Sequence, residues 1–332
     1  MTHKLFDNHK RPLNYLRLAV TDRCNLRCFY CMPEEGINYL PKKDLLSFEE
    51  IIRMVSMLAE MGITKVRITG GEPYVRKDLN QLLEKISRIP GIEELHITTN
   101  GVLTAAHIPF LKSIGIKSVN LSLDTLDEQR FINITRRKLF KEVMQTLDGL
   151  LAAGIPTKIN AVVMEEKNID DIIPLIQLGK DQAIDVRFIE EMPFNGEGAH
   201  YTQLNWTYKK ILAYIQSNYP SLTKLNDPAN STAYHYQVSG YQGKIGIIAA
   251  FSRTFCRTCN RIRITPQGTL KTCLYDDGVL NIRDLLRATS DDKQIQTELL
   301  KAFSSRAKDG FEAEAKRKNN LPVTESMSTI GG

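Results

Sequence analysis

The chain has 332 residues, 42% hydrophobic and 25% charged, a balance that excludes a disordered or low-complexity protein and suits a soluble one with a large core. The net charge of +6 favours an anionic ligand, although a solvated basic surface gives the same figure, so charge does not choose between nucleotide and nucleic acid. The first residues lack the apolar core of a secretory signal, and no apolar run approaches the roughly 18 residues of a membrane span. The six cysteines are therefore expected as reduced thiols in a cytoplasmic protein.

A β-type run at 16–21 comes first and leads into Cys24, Cys28 and Cys31. Three thiolates can hold a four-iron cluster and leave one iron unclaimed, and an open iron suggests reactive chemistry. Zinc or a disulfide staple are the alternatives, but no cysteine or histidine occurs between Cys31 and His96 to complete a local zinc site. Ser47 and Glu50 then form a capping box ahead of a helix whose apolar face carries Ile51, Met54, Val55 and Leu58.

Further β-type runs follow at 65–69, 94–98, 118–124, 157–164 and 185–189, each succeeded by a helical pattern; Gly115 and Gly154 stop two of the helices. Six such repeats mean parallel strands joined by right-handed crossovers. One face is polar in strand after strand: Arg17 with Thr21, Arg67 with Thr69, His96 with Thr98, Asn120 with Ser122 and Asp124, Lys158 with Asn160. Sheets buried on both sides read as continuous apolar runs, so this face implies a polar cavity and an open barrel. Gly70 and Gly71 directly follow the Arg67 run, where a backbone without side chains can approach a ligand.

The barrel is expected to span 5–192, and a smaller region, 193–332, to follow a Gly/Asn-rich loop at 193–198. It contains a helical segment at 206–217, a loop at 227–232 and β-type runs at 245–249 and 261–265. Cys256, Cys259 and Cys273 complete the cysteine count. A second cluster or structural zinc, with His235 or His200 as fourth ligand, would each use them.

The C-x-x-x-C-x-x-C spacing with Tyr30 before its last cysteine resembles the radical S-adenosylmethionine (SAM) superfamily. That resemblance implies an α/β fold, an incomplete (β/α)6 barrel with a smaller C-terminal lobe carrying a second iron–sulfur cluster. Cys24, Cys28 and Cys31 would bind a [4Fe-4S] cluster whose fourth iron takes SAM, and an electron from it would cleave the sulfonium to a 5′-deoxyadenosyl radical. Tyr30 would lie against the adenine, Gly71 and Ser122 would meet the polar groups of SAM, and Met192 its adenosine.

Three phrases narrow the resemblance: Arg17 to Cys24, Arg67 to Pro73, and Cys256 to Arg263 with Gly331 and Gly332. Together they resemble the GTP 3′,8-cyclases of molybdenum cofactor biosynthesis. The resemblance implies a second [4Fe-4S] cluster on Cys256, Cys259 and Cys273 that binds guanine. It also implies hydrogen removal from C3′ of GTP, bonding of C3′ to C8, and delivery of the product to a cyclic pyranopterin monophosphate synthase. An electron donor and a homodimer are expected, without membrane or nucleic acid partners. Arg17, Arg67, Thr98, Lys158, Arg261 and Arg263 would bind GTP; the last two point the same way and suit paired hydrogen bonds to phosphate. Arg261, Arg263, Gly331 and Gly332 would serve catalysis, the glycine pair by entering the pocket. A peptide-modifying radical SAM enzyme with an auxiliary cluster remains open. So does a zinc-stabilised nucleic-acid-binding protein, although clustered Lys/Arg with exposed aromatics is weak here.

Overall fold

A computed structural model describes residues 4–194, 204–317 and 325–331. Strand and helix alternate through its first part: β1 Tyr15–Ala19, α1 Phe48–Glu60, β2 Lys65–Thr69, α2 Leu79–Ser87, β3 Glu94–Thr99, α3 Ile108–Ser113 and β4 Ser118–Ser122. The series continues with α4 Glu128–Thr135, α5 Phe140–Ala152, β5 Thr157–Val163, α6 Ile172–Gln177 and β6 Asp185–Glu190. Neighbouring strands from β1 to β6 pair in parallel. The capping box that opens α1 is complete, with Ser47 Oγ accepting from Glu50 N and the Glu50 carboxylate accepting from Ser47 N. Gly115 and Gly154 stand just beyond α3 and α5 with φ of +69° and +68°, a conformation that glycine adopts without strain.

The remaining elements are α7 Tyr208–Asn218, β7 Leu222–Lys224, β8 Ala233–Val238, β9 Ile245–Ile248, β10 Arg261–Ile264, β11 Thr269–Lys271 and β12 Leu280–Asn281, then α8 Ile282–Ala288, α9 Asp292–Phe303, α10 Gly310–Ala315 and α11 Met327–Ile330. They do not build a separate sheet. The strand order is β12-β11-β10-β1-β2-β3-β4-β5-β6-β9-β8-β7, so β10 extends the barrel beyond β1 and β9 extends it beyond β6, both in parallel. The lobe foreseen from the sequence is thus split between the two edges of one twelve-stranded open sheet. This split carries the second cysteine triplet to the side of the first.

The apolar faces of the strands turn toward the helices. Leu16, Leu18, Val66, Ile68 and Ile97 pack with Ile51, Met54, Leu58 and Leu82, and Leu121, Ile159, Val186 and Phe188 with Val143, Leu147 and Leu175. With that face committed to the core, the period of two sends the alternate side chains inward. Those inward positions form the cavity.

Candidate active site

Both cysteine triplets open onto one cavity of about 520 Å³. The first triplet occupies the loop after β1, and the turn after β2 crosses beneath it. A Cβ on Gly70 would lie 2.5 Å from Thr21 O and one on Gly71 2.4 Å from Arg23 O. The glycines are thus required by close approach to the chain's own backbone. Glu72 in this turn is fully buried and accepts from Tyr74 N, Asn100 N and Thr99 Oγ1. Burial pushes its carboxyl up to about 7 despite those donors. The neighbouring Asn100 donates to Cys24 Sγ at 3.6 Å, and Leu26 N does so at 3.4 Å.

The opposite part of the cavity is a basic wall. Arg17 is in register with Arg67 of β2 on one side and Arg263 of β10 on the other, so three guanidinium-bearing positions stand abreast. One level below, Tyr15 is in register with Lys65 and Arg261. Lys158 and Arg187 continue the wall from β5 and β6. Burial, with Arg263, Arg67 and Arg261 close by, pulls the Arg17 pKa well down, and burial with Arg187 lowers Lys158 to about 8. Tyr15 moves the other way relative to its burial: desolvation raises it, but Arg67, Arg17 and Arg261 outweigh that and bring the phenol to about 7. Arg67 Nε donates to Tyr15 Oη at 2.6 Å.

Arginines also brace the second triplet. Arg306 Nη2 donates to Cys259 Sγ at 3.2 Å, and Arg261 Nη1 does so at 3.7 Å. Asp276 accepts from Thr272 N, Thr272 Oγ1 and Cys273 N, fixing the loop that carries Cys273. Desolvation raises the Cys259 thiol, but Arg261 and Arg306 outweigh it and lower the pKa to about 7. Burial instead lifts Cys24 and Cys273 to about 12 and Cys31 to about 11.

Segment 325–331 is docked between the triplets. Ser326 Oγ donates to Cys31 O at 2.6 Å, and Arg263 Nη1 donates to Gly331 O at 2.6 Å. Gly331 has φ +78°, and a Cβ there would fall 2.2 Å from Thr69 Oγ1. Gly332 lies outside the described residues.

Of the residues singled out in the sequence, the six cysteines, Arg17, Tyr30, Arg67, Gly71, Thr98, Ser122, Lys158, Met192, Arg261 and Arg263 all line this one cavity. Tyr30 donates to Asp124 Oδ2 at 2.8 Å, an anchor the motif did not announce. His235 also reaches the cavity, with Nδ1 3.1 Å from Asp227 Oδ1, while His200 lies outside the described residues. Among the described residues, no three His, Cys, Asp or Glu side chains converge to hold a single metal ion. The sequence reading overlooked Tyr15, Lys65, Arg187 and Arg306. Lys65 and Arg187 share the inward period of Arg67 and Asn160, which would have found them. For Arg306 no local signal exists.

Two family signatures cover most of the chain: residues 18–179 match the Radical SAM superfamily and 184–311 match Molybdenum Cofactor Synthesis C. The GTP 3′,8-cyclase of Clostridium perfringens is 39% identical across 98% of this chain and 99% of its own length. The chain belongs to the GTP 3′,8-cyclase family. Molybdenum cofactor biosynthesis protein moc-5 of Caenorhabditis elegans is 38% identical across 98% of this chain. The chain spans about half the length of such animal relatives, 56% of the nematode protein and 46% of the mouse one. Among solved structures, Streptococcus suis SuiB bound to S-adenosylmethionine matches with TM-score 0.58 and 17% identity, covering 86% of this chain and 67% of SuiB, a likeness of fold.

The donor set suits the [4Fe-4S] cluster and SAM that radical SAM membership implies. Cys24, Cys28 and Cys31 are free thiols around one mouth of the cavity, and N–H donors from Asn100 and Leu26 aim at sulfur. A metal deprotonates such thiols outright, removing the cost that burial sets on their ionisation.

Proposed function

We propose that this chain is a GTP 3′,8-cyclase, joining C3′ of the GTP ribose to C8 of guanine to give 3′,8-cyclo-7,8-dihydroguanosine 5′-triphosphate. The observation that carries this reading is the row Arg263, Arg17 and Arg67, abreast on three strands within a cavity that also receives both cysteine triplets. Like charges side by side on a sheet are destabilising, and a polyanion reverses that cost. A triphosphate supplies the charge and the planar oxygen pairs that guanidinium forks match.

Cys24, Cys28 and Cys31 would hold one [4Fe-4S] cluster and Cys256, Cys259 and Cys273 a second; with SAM bound, they supply the one-electron cleavage that generates the hydrogen-abstracting species. The chain's task is positioning. Tyr30, tied to Asp124, would face the adenine of SAM, with Gly71, Ser122 and Met192 around its other groups. Arg17, Arg67, Lys158, Arg261 and Arg263 would fix the phosphates, with Thr98 beside them, so that only C3′ comes within reach. Alkyl radicals attack most nearby C–H bonds, so selectivity rests on holding one of them close and keeping water out. Gly331, buried against Thr69 and held by Arg263, would close the cavity. Gly332 would extend it.

In this reading 5–192 serves SAM and 193–332 completes the guanine and phosphate site. An electron donor, a downstream cyclic pyranopterin monophosphate synthase and a second copy of the chain are its partners, in the cytoplasm. The described residues contain no helix long and apolar enough to cross a membrane. Anaerobic reconstitution with iron and sulfide, followed by incubation with SAM, a reductant and GTP, tests the proposal. Formation of 5′-deoxyadenosine with a cyclised nucleotide supports it. GTP-independent turnover, or zinc in place of iron in protein purified without air, contradicts it.

A further inference from the structure

We propose that Arg306, anchored by the N-terminal arm, is a positioning residue for the second cysteine triplet and raises the reduction potential of the cluster held there. The inference rests on the reading that Cys256, Cys259 and Cys273 bind a [4Fe-4S] cluster. Arg306 is 3% exposed and lies between α9 and α10. Its guanidinium donates to Cys259 Sγ, Cys259 O and Arg261 O, and its Nε to Thr272 O, the residue before Cys273. One side chain thereby ties two cysteine segments that are separated by the β10–β11 hairpin.

The arm completes the arrangement from the far end of the sequence. Asp7 accepts from Arg306 Nη1 at 3.2 Å and from Arg11 Nε at 2.6 Å. Arg11 Nη1 in turn donates to Cys256 O at 3.1 Å, and its two Nη atoms hold the carbonyls of Lys308 and Ala307. Linked through Asp7, the Arg11 and Arg306 side chains therefore touch the backbone at or beside all three cysteines. Only Arg306 among them reaches a sulfur. A nearby N–H and a fixed positive charge both favour the reduced, more negative state of a cluster, and hydrogen bonds to sulfur are an established determinant of potential. Of the cavity arginines, Arg261, one level below the row, also donates to Cys259 Sγ, at 3.7 Å against 3.2 Å for Arg306.

The test compares wild-type, Arg306→Lys and Arg306→Met proteins, full length and anaerobically reconstituted, by iron count and by redox titration followed with electron paramagnetic resonance. The cluster at Cys24, Cys28 and Cys31 is the internal control. Arg306→Lys is expected to keep both clusters and to lower the reduced-to-oxidised ratio of the second at least tenfold at a fixed solution potential, a shift of 59 mV for one electron. Arg306→Met is expected to lose iron from the second site alone. An unchanged second cluster in both variants overturns the inference, and so does loss of both clusters together, which would make Arg306 a general fold element. A wild-type protein with a single cluster would instead refute the reading on which the inference rests.

Discussion

Arg17 and Arg263 face each other in register across β1 and β10, two residues 246 positions apart in sequence on neighbouring parallel strands. Both line the cavity and are half-buried; burial and Arg263 pull the Arg17 pKa well down, and burial with Arg261 lowers that of Arg263. A fold does not gain by setting two half-buried cations abreast. The juxtaposition is explained by an anionic occupant, and it joins the barrel to the C-terminal region at the point where the proposed chemistry takes place.

Arg17→Met should therefore separate function from stability. Losing charge-assisted hydrogen bonds worth about 1.5–3 kcal/mol should weaken GTP binding about tenfold to a hundredfold. Relief of like-charge repulsion, about 1 kcal/mol, should leave the ligand-free protein no less stable and raise its midpoint by about 2 °C. Calorimetric titration with GTP and thermal unfolding read the two effects. Guanosine, which lacks phosphates, should show little change in affinity.

The basic wall should also give GTP binding a definite pH dependence. Lys158, lowered to about 8, loses its charge as pH rises through that value, and Tyr15, lowered to about 7, gains a negative one. Both changes weaken anion binding, so affinity should fall between pH 7 and 9. Stability moves oppositely. Both folded-state pKa values lie below the ordinary ones, so the deprotonated forms favour the folded protein, with the gain beginning at about 7 and 8 and complete near 10. Lys158→Met should abolish the upper limb of the binding profile and Tyr15→Phe the lower, measured as dissociation constants across that range.

At the other end of the chain, Gly331→Ala should leave the fold and the iron content intact while cyclisation falls by at least tenfold. The added methyl would meet Thr69 Oγ1 at 2.2 Å in a backbone of φ +78°, costing about 1 kcal/mol for the conformation alone. Segment 325–331 would have to leave its seat beside Arg263. Circular dichroism, iron analysis and product assay together check this. Removal of Gly331 and Gly332 should have the same outcome.

Periodicity exposed much of this arrangement because both faces of each barrel strand are committed, one to the helices and one to the cavity. Leu16, Leu18, Arg17 and Arg67 could be sorted to their sides before any contact was known. Nothing local says where β9 and β10 pair. Their partners, β6 and β1, are chosen by packing across more than 50 and more than 240 residues, so the expected lobe became two extensions of one sheet. Arg306 and Arg11 were illegible for a related reason. Arg11 takes its meaning from carbonyls nearly 300 residues away, and Arg306 from carbonyls 34 to 47 residues away and from the Asp7 carboxylate. Gly331 carried significance only through family resemblance, since a glycine near a chain end has no periodicity to betray it.

The central claim is that the cavity holds GTP with C3′ presented to the radical generated from SAM. The most direct measurement uses GTP deuterated at C3′ with the anaerobically reconstituted protein, SAM and a reductant, followed by mass spectrometry of both products. The account predicts deuterium in 5′-deoxyadenosine, formed in step with a cyclised nucleotide that has lost it. Unlabelled 5′-deoxyadenosine, produced at the same rate with or without GTP, would contradict it.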